Sequence, residues 1–232
     1  MKNSIVTLIF ILLCIIVKPQ NPHTTFGMQY KPIIPVKYFN SSYVIKESIN
    51  YNFNLKPKYS NSFGMIIRHE INKTFSIESG INYIQRNYQL ISTQNLFSDF
   101  TNFSVRSYEI PIQLLTYVRV SEFWYLNVAF GISHNILASD VFSSGEQNKN
   151  YYQNSYRQNG GYSALLANLG MEYRTKTKGH YYIGASLHRT WYPIVKIYPQ
   201  IEENGIKQID NDFSLDIIGN FITIDFRYFF PE

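Results

Sequence analysis

The sequence predicts an all-β fold, an eight-stranded antiparallel transmembrane β-barrel in an up-and-down meander, preceded by a signal peptide. Three observations carry this prediction. Segments of about ten residues alternate large apolar with small or polar side chains, as a strand with one apolar and one polar face must. Trp124–Ser133 and Phe221–Phe230 show the rhythm most clearly, the latter setting Ile222, Ile224, Phe226 and Tyr228 against Thr223, Asp225 and Arg227. Charged residues make up only 16% of the chain and aromatics 17%, whereas soluble domains carry about 25% charge. Short and long connections between the predicted strands alternate strictly, which places all the long ones at one end.

The N-terminus reads as a secretory leader. Lys2 precedes an apolar stretch from Ile5 to Val17, followed by Lys18-Pro19-Gln20, and a positive end before an apolar core of about 7–15 residues is the signal-peptide pattern. The expected division is a signal peptide over 1–20 and a barrel domain over 21–232. Past the leader no apolar run approaches the roughly 20 residues of a membrane helix, in keeping with a mean hydropathy of −0.19. The single cysteine, Cys14, falls within the leader, so the mature chain has no disulfide. Removing Lys2 and Lys18 leaves 19 basic against 16 acidic residues. No basic cluster suited to nucleic acid is present.

The predicted strands cover 24–32, 61–71, 74–91, 104–120, 123–138, 161–175, 180–197 and 217–230. Asn72-Lys73, Ser121-Glu122 and Thr175 to Gly179 form the short turns. The long links are 33–60, 92–103, 139–160 and 198–216. Pro111 cannot donate to a strand ladder and predicts a local bulge or bend.

One face of each strand is apolar: Phe26, Met28 and Tyr30; Phe63, Met65 and Ile67; Tyr108, Ile110, Ile112 and Leu114. The opposite faces carry five acids (Glu70, Glu78, Glu109, Glu172, Asp225) and five arginines (Arg68, Arg86, Arg119, Arg174, Arg227). Facing lipid, one arginine at mid-depth costs on the order of 2–4 kcal/mol, so these ten are expected to pair in a shared lumen. Eight strands enclose only enough space for side chains, which predicts a filled polar core and not a pore. Aromatics near the strand ends suit two interfacial girdles: Phe123, Trp124, Tyr173, Tyr181, Tyr228 and Phe229 at the short-turn end, and Tyr88, Trp191 and Tyr192 at the other.

Three stretches carry a family resemblance: Phe26 to Pro35, Ser62 to Arg68 with Ile81-Asn82-Tyr83, and Tyr108-Glu109-Ile110-Pro111-Ile112-Gln113-Leu114-Leu115. Over nearly all of the mature chain the sequence resembles the small outer-membrane β-barrel proteins of Bacteroidota, including the PorT-like group. The resemblance implies the outer membrane of a Gram-negative bacterium, and for PorT-like members a link to protein secretion.

Chemistry is sparse. Ser186 and His188 share one strand face about 7 Å apart, which leaves open a lipid hydrolase with Glu109 or Glu172 as the acid. As ordinary lumen residues they would join the charge network instead. The five histidines are scattered without metal-ligand spacing, and neither a metal nor a cofactor is expected. The long loops 33–60 and 139–160 are rich in Tyr, Asn and Ser, a composition suited to contacting protein or glycan. The sequence thus predicts a non-enzymatic, monomeric structural or interaction protein in contact with outer-membrane lipid. Alternatives are the Ser/His lipid hydrolase, a secreted lipocalin-like binder of apolar ligands with its faces inverted, and a passive channel.

Overall fold

The computed structural model describes residues 23–35, 44–48, 51–94, 97–175 and 177–231. The expected signal peptide, Cys14, and Tyr38, Phe39 and Tyr43 of the first long loop lie outside them. Every regular element among the described residues is a strand: β1 (His23–Ile34), β2 (Val44–Ser48), β3 (Tyr51–Pro57), β4 (Ser60–Glu70), β5 (Phe75–Gln94), β6 (Phe97–Arg119), β7 (Trp124–Leu137), β8 (Val141–Ser144), β9 (Tyr151–Arg157), β10 (Gly161–Arg174), β11 (His180–Thr190), β12 (Pro193–Glu203), β13 (Ile206–Lys207), β14 (Leu215–Ile218) and β15 (Phe221–Phe229).

Antiparallel pairing runs full circle through β1, β4, β5, β6, β7, β10, β11 and β15, and returns to β1. First and last strands close on each other with Gly27 opposite Phe229 and Ile34 opposite Ile222. β3 continues the sheet along the far half of β5, and β2 pairs with β3. The sheet therefore holds ten strands, eight of them in the closed circuit. Parts of the expected long loops are themselves strands: β8, β9, β12, β13 and β14 form a second, five-stranded sheet. The expected long link at 92–103 is a hairpin, since β5 runs to Gln94 and β6 starts at Phe97.

The short turns are built by local hydrogen bonds. Asn72 Oδ1 accepts from the amides of Thr74 and Phe75, both at 2.8 Å, which ties off the β4–β5 turn as an Asx motif. Thr175 N donates to Gly179 O across the β10–β11 turn. Gly179 has φ +76°, and a Cβ there would strike the Phe229 carbonyl, so this turn needs glycine.

The side-chain pattern inverts partway along the longest strands. On β5, Ile77, Ile81 and Tyr83 face outward while Ser76, Glu78 and Asn82 are buried. Beyond Ile84 the sense reverses: Tyr88 and Leu90 are buried, and Gln85, Asn87 and Gln89 lie outward. β6 switches at the paired level, because Tyr108 stands opposite Tyr83. On its turn side Ile110, Ile112 and Leu114 are exposed; on its far side Phe103 and Val105 are buried. The molecule is thus two stacked compartments. The lower wall is oily outside and polar inside, and the upper part is an ordinary apolar core between two sheets.

The upper core gathers Phe53, Leu55, Leu90, Phe103, Tyr151, Ile197 and Ile217, among others. Phe53 is fully buried and packs on Phe213 with ring centroids 5.4 Å apart. Hydrogen bonds join the two sheets, from Thr101 Oγ1 to Ser143 Oγ at 2.8 Å and from Glu146 N to Phe100 O at 3.0 Å. Tyr51 and Tyr151 also hydrogen-bond in this region, Tyr51 OH to Glu203 at 3.0 Å and Tyr151 OH to Leu90 O at 3.2 Å. Burial, and for Tyr51 also the neighbouring Glu203 carboxylate, pushes both phenols above their ordinary range.

Two local expectations need correction. Pro111 causes no bulge: the β5–β6 and β6–β7 registers on either side of it are unshifted. Among the paired positions, only Gly80 and Ile81 lose their opposite numbers there, and Ser79 Oγ donates to the Pro111 carbonyl at 2.8 Å. The bulge falls instead at 58–60. Asn61 opposes Gln85 and Pro57 opposes Tyr88, so three residues face two. Finally, the strand expected over 180–197 breaks at Trp191-Tyr192 into β11 and β12, because its second half pairs with β9 and β14 of the other sheet.

Phe53→Ala should remove about 3–5 kcal/mol from the upper core. Hydrogen exchange is expected to accelerate at β3, β9 and β12 while β7 and β10 keep their protection. Uniform loss of protection would show the two compartments to be one cooperative unit.

Candidate functional site

The lower compartment holds the densest polar arrangement among the described residues. Its backbone is ring-shaped, so every second residue of each strand points at a common axis. Eight charged side chains form an unbroken chain of alternating sign. Glu70 meets Arg174 at 3.4 Å, and Arg174 Nε donates to Glu172 Oε1 at 2.7 Å. Arg68 donates to the other Glu172 oxygen at 2.6 Å and to Glu78 Oε2 at 3.1 Å. Arg227 joins Glu78 Oε1 at 2.6 Å and Asp225 Oδ2 at 2.9 Å. Lys31 closes the series 3.7 Å from Asp225.

The strand positions carry this chain across the lumen. β4 and β10 stand four places apart in the circuit of eight, so the Arg68–Glu172 pair crosses the lumen between opposite walls. Arg227–Glu78 crosses from β15 to β5. Aromatic faces sandwich the guanidinium groups. Arg68 lies 3.6 Å from the Phe229 ring centroid, Arg174 about 4.5 Å from both Tyr117 and Tyr125, and Arg227 4.7 Å from Tyr182. Such stacking compensates part of the lost hydration of a buried cation.

A second cluster sits nearer the upper compartment. Gln29 donates to Asn82, and Asn82 donates to Glu109 Oε2 at 2.9 Å. Glu109 Oε1 is 3.5 Å from His188 Nε2. His188 Nδ1 lies 3.1 Å from Gly219 O, and its ring stacks on Phe221 at 4.2 Å. Arg86 reaches Tyr162 OH at 2.9 Å, and less closely Ser107 Oγ and Gly219 O. All its hydrogen bonds go to neutral groups, so it stands beside the charge chain without joining it.

Of the ten residues read as a lumen network, Arg68, Glu70, Glu78, Glu172, Arg174, Asp225 and Arg227 meet in one chain, and Glu109 and Arg86 lie in the second cluster. Arg119 does not belong. It is exposed at the end of β6, and its guanidinium donates to Ser121 O at 3.0 Å and Glu122 O at 3.3 Å. Its strand parity points inward, but the wall ends there and the side chain caps its own turn. Two girdle aromatics also face inward: Phe229 is buried beneath Arg68, and Tyr88 lies in the upper core.

Ser186 and His188 are not brought together. Ser186 Oγ donates to Asp225 Oδ2 at 2.5 Å and accepts from Asn168 at 2.8 Å. His188 is committed to Gly219 and Glu109. The members missing from the expected network were Lys31, Tyr117 and Tyr182. Strand parity places Lys31 beside Gln29. Tyr182 needs room that only glycine leaves: Gly170 and Gly184 face each other across β10 and β11, and a Cβ on either would strike the Tyr182 hydroxyl. That hydroxyl donates to Asn168 Oδ1 at 2.6 Å.

On the upper sheet, the expected contact loop 139–160 presents rings outward. Phe142 and Tyr152 lie 5.9 Å apart, and Tyr156 and Tyr198 5.7 Å apart. Asp140 accepts from both the amide and the side chain of Arg157 at 3.0 Å, which holds its carboxyl below the usual range.

No protein-family model matches the chain, and no curated protein matches it by sequence. Among solved structures, the outer membrane protein OprG from Pseudomonas aeruginosa is similar in fold, with a TM-score of 0.54 at 9% identity, over 90% of this chain and 96% of that one. The outer membrane protease OmpT from Escherichia coli aligns over 91% of this chain and 95% of its own, with a TM-score of 0.35 at 8% identity. The fold is that of the outer-membrane β-barrel proteins.

Glu172→Ala should leave Arg68 with Glu78 alone and Arg174 with Glu70 alone, an excess of buried positive charge that costs about 3–5 kcal/mol. A double Arg68→Leu/Glu172→Leu variant is expected to regain part of that loss, because removing both groups restores the charge balance. Urea unfolding of the refolded protein checks both; equal loss in the two would contradict the pairing.

Proposed function

We propose that the chain is an eight-stranded barrel spanning the outer membrane of a Gram-negative bacterium, a non-enzymatic, monomeric protein whose lumen is sealed and whose upper sheets make its contacts. The observation that carries this reading is the orientation of the lower wall. Arg68, Glu172, Asp225 and Arg227 are at most 3% exposed, whereas Met65, Ile112, Phe130 and Leu169 are 56–61% exposed. A soluble protein gains nothing from such an arrangement, while hydrocarbon demands it.

Dimensions agree. The outward apolar run on β6 from Tyr108 to Val118 spans about 33 Å of strand, or about 25 Å at a tilt of about 40°. Rings bracket it. Trp124–Tyr173 and Tyr181–Tyr228 contact each other at 5.0 and 5.1 Å on the turn side, and Phe63–Tyr83–Tyr108 form a run at 5.2 and 5.7 Å on the other. Amphipathic aromatics favour both headgroup layers. The stretches resembling Bacteroidota barrels, Phe26 to Pro35 and Tyr108 to Leu115, lie on β1 and β6 of this wall and support an origin in that group, including its PorT-like members with their secretion link.

Two blocks oppose conduction. The ion-pair chain crosses the lower lumen, and the upper core of Phe53, Leu90 and Ile197 closes the far end. Recognition then falls to the outward rings of the upper sheet, Phe142, Tyr152, Tyr156 and Tyr198, set beside Asn154 and Lys196.

Cell fractionation should recover the protein with outer membranes, and unboiled samples should migrate differently from boiled ones on a detergent gel. Release by salt alone would overturn the membrane reading. Ile112→Arg, at the middle of the outer wall, should destabilise the bilayer-embedded fold by about 2–4 kcal/mol. In planar bilayers the wild type is expected to show no steady conductance. Ser186→Ala should leave lipid turnover by purified protein at its background value.

A further inference from the structure

Just beyond the Tyr83–Tyr108 ring level, the outer surface carries a groove of about 640 Å³ lined by Pro57, Lys58, Tyr59, Asn87, Asn102 and Ser104. The bulge at 58–60 makes it. The extra residue re-aims the side chains there, as bulges do, so that both Lys58 and Tyr59 are exposed, Tyr59 at 79%. The segment is nonetheless fixed. Lys58 N donates to Asn87 O at 2.8 Å, Ser60 Oγ donates to Lys58 O and accepts from Asn87 N, and Asn87 Nδ2 donates to Tyr59 O at 2.8 Å.

The groove floor is a ladder of linked polar side chains on β5 and β6. Gln85 donates to Asn87 at 3.1 Å, Ser104 donates to Asn87 at 2.6 Å, and Gln89 and Lys58 both reach Asn102. Arg106 lies at its membrane-side end, outward and opposite Gln85. Neither Lys58 nor Arg106 has a carboxylate partner among the described residues. About 13 Å of strand separates Asn102, which Lys58 touches, from Arg106, the span of a short saccharide.

We propose that this groove binds the phosphorylated saccharide headgroup of an outer-leaflet glycolipid. Lys58 and Arg106 would meet phosphate, Arg106 through its fork of N–H donors. The amides of Gln85, Asn87 and Asn102 suit sugar hydroxyls, having donors and acceptors side by side. The exposed Tyr59 ring offers an apolar face to a sugar ring. The inference rests on the outer-membrane reading, because that reading sets the groove at headgroup depth. It gives the lipid contact a defined headgroup and a defined place.

The test uses the full mature chain, refolded in detergent and shown to be folded by heat-modifiability, so failure of the barrel reading is scored separately. Native mass spectrometry then counts bound lipid A, dephosphorylated lipid A or phosphatidylglycerol, with inorganic phosphate as competitor. Lipid A is expected to bind at least about tenfold more tightly than its dephosphorylated form, and a Lys58→Ala/Arg106→Ala variant to lose about tenfold. Asn102→Ala should narrow the preference for lipid A over phosphatidylglycerol, whereas Lys178→Ala at the opposite end should change nothing. Equal binding of phosphatidylglycerol by the wild type would reduce the site to general anion attraction and overturn the proposal. So would full competition by inorganic phosphate, or a double variant that binds like the wild type.

Discussion

The ionic chain from Glu70 to Lys31 is the constraint around which the lower half of this molecule is organised. Ionised groups removed from water are tolerated only when paired and hydrogen-bonded. Here every carboxylate except the terminal Glu70 lies between cations, and three of the arginines also rest on aromatic rings. The geometry this requires is a closed wall, since partners come from β1, β4, β5, β10 and β15 at once. An open sheet could not bring Arg68 to Glu172. Once the charges are drawn to the axis, period-two alternation sends Met65, Ile112, Phe130 and Leu169 outward.

The inversion at Tyr83 and Tyr108 shows the same chain solving two solvent problems on two continuous strands. Below that level, the outward side chains are apolar and the inward ones polar. Above it, Gln85, Asn87, Gln89 and Asn102 meet water, and the apolar residues turn inward to form a conventional core. The upper core lies over one end of the lumen and backs the outward rings of the second sheet. A loop of that length without such a core would have little to order it. The bulge at 58–60 lies at this same transition, where pairing with β5 passes from β4 to β3.

Most of the lower wall was legible in the sequence because alternation is local. Glu78, Glu172, Asp225 and Arg227 could be assigned inward from their immediate neighbours. Arg119 could not: its parity is right, but only the end of the wall leaves it in solvent at its own turn. Phe229 shows the complementary limit. It reads as one more terminal aromatic, and only the position of Arg68 on a distant strand makes it the floor of a cation site. Tyr182 was hidden because its space is made by Gly170 and Gly184, one of them on the adjacent strand.

The sequence by itself determined the class of the fold, the strands of the lower wall and the direction in which their side chains point, since all three follow from spacing between near neighbours. The tertiary structure decided which charges meet, that Ser186 belongs to Asp225 while His188 belongs to Gly219 and Glu109, and that the supposed loops build a second sheet and a core. Those outcomes depend on which strands stand opposite one another across a lumen, or face to face above it. Residues such as Tyr51, Phe53 and Leu55 alternate as strand residues do, but a strand acquires its place only from a partner, and theirs lie on β5 and across the upper core.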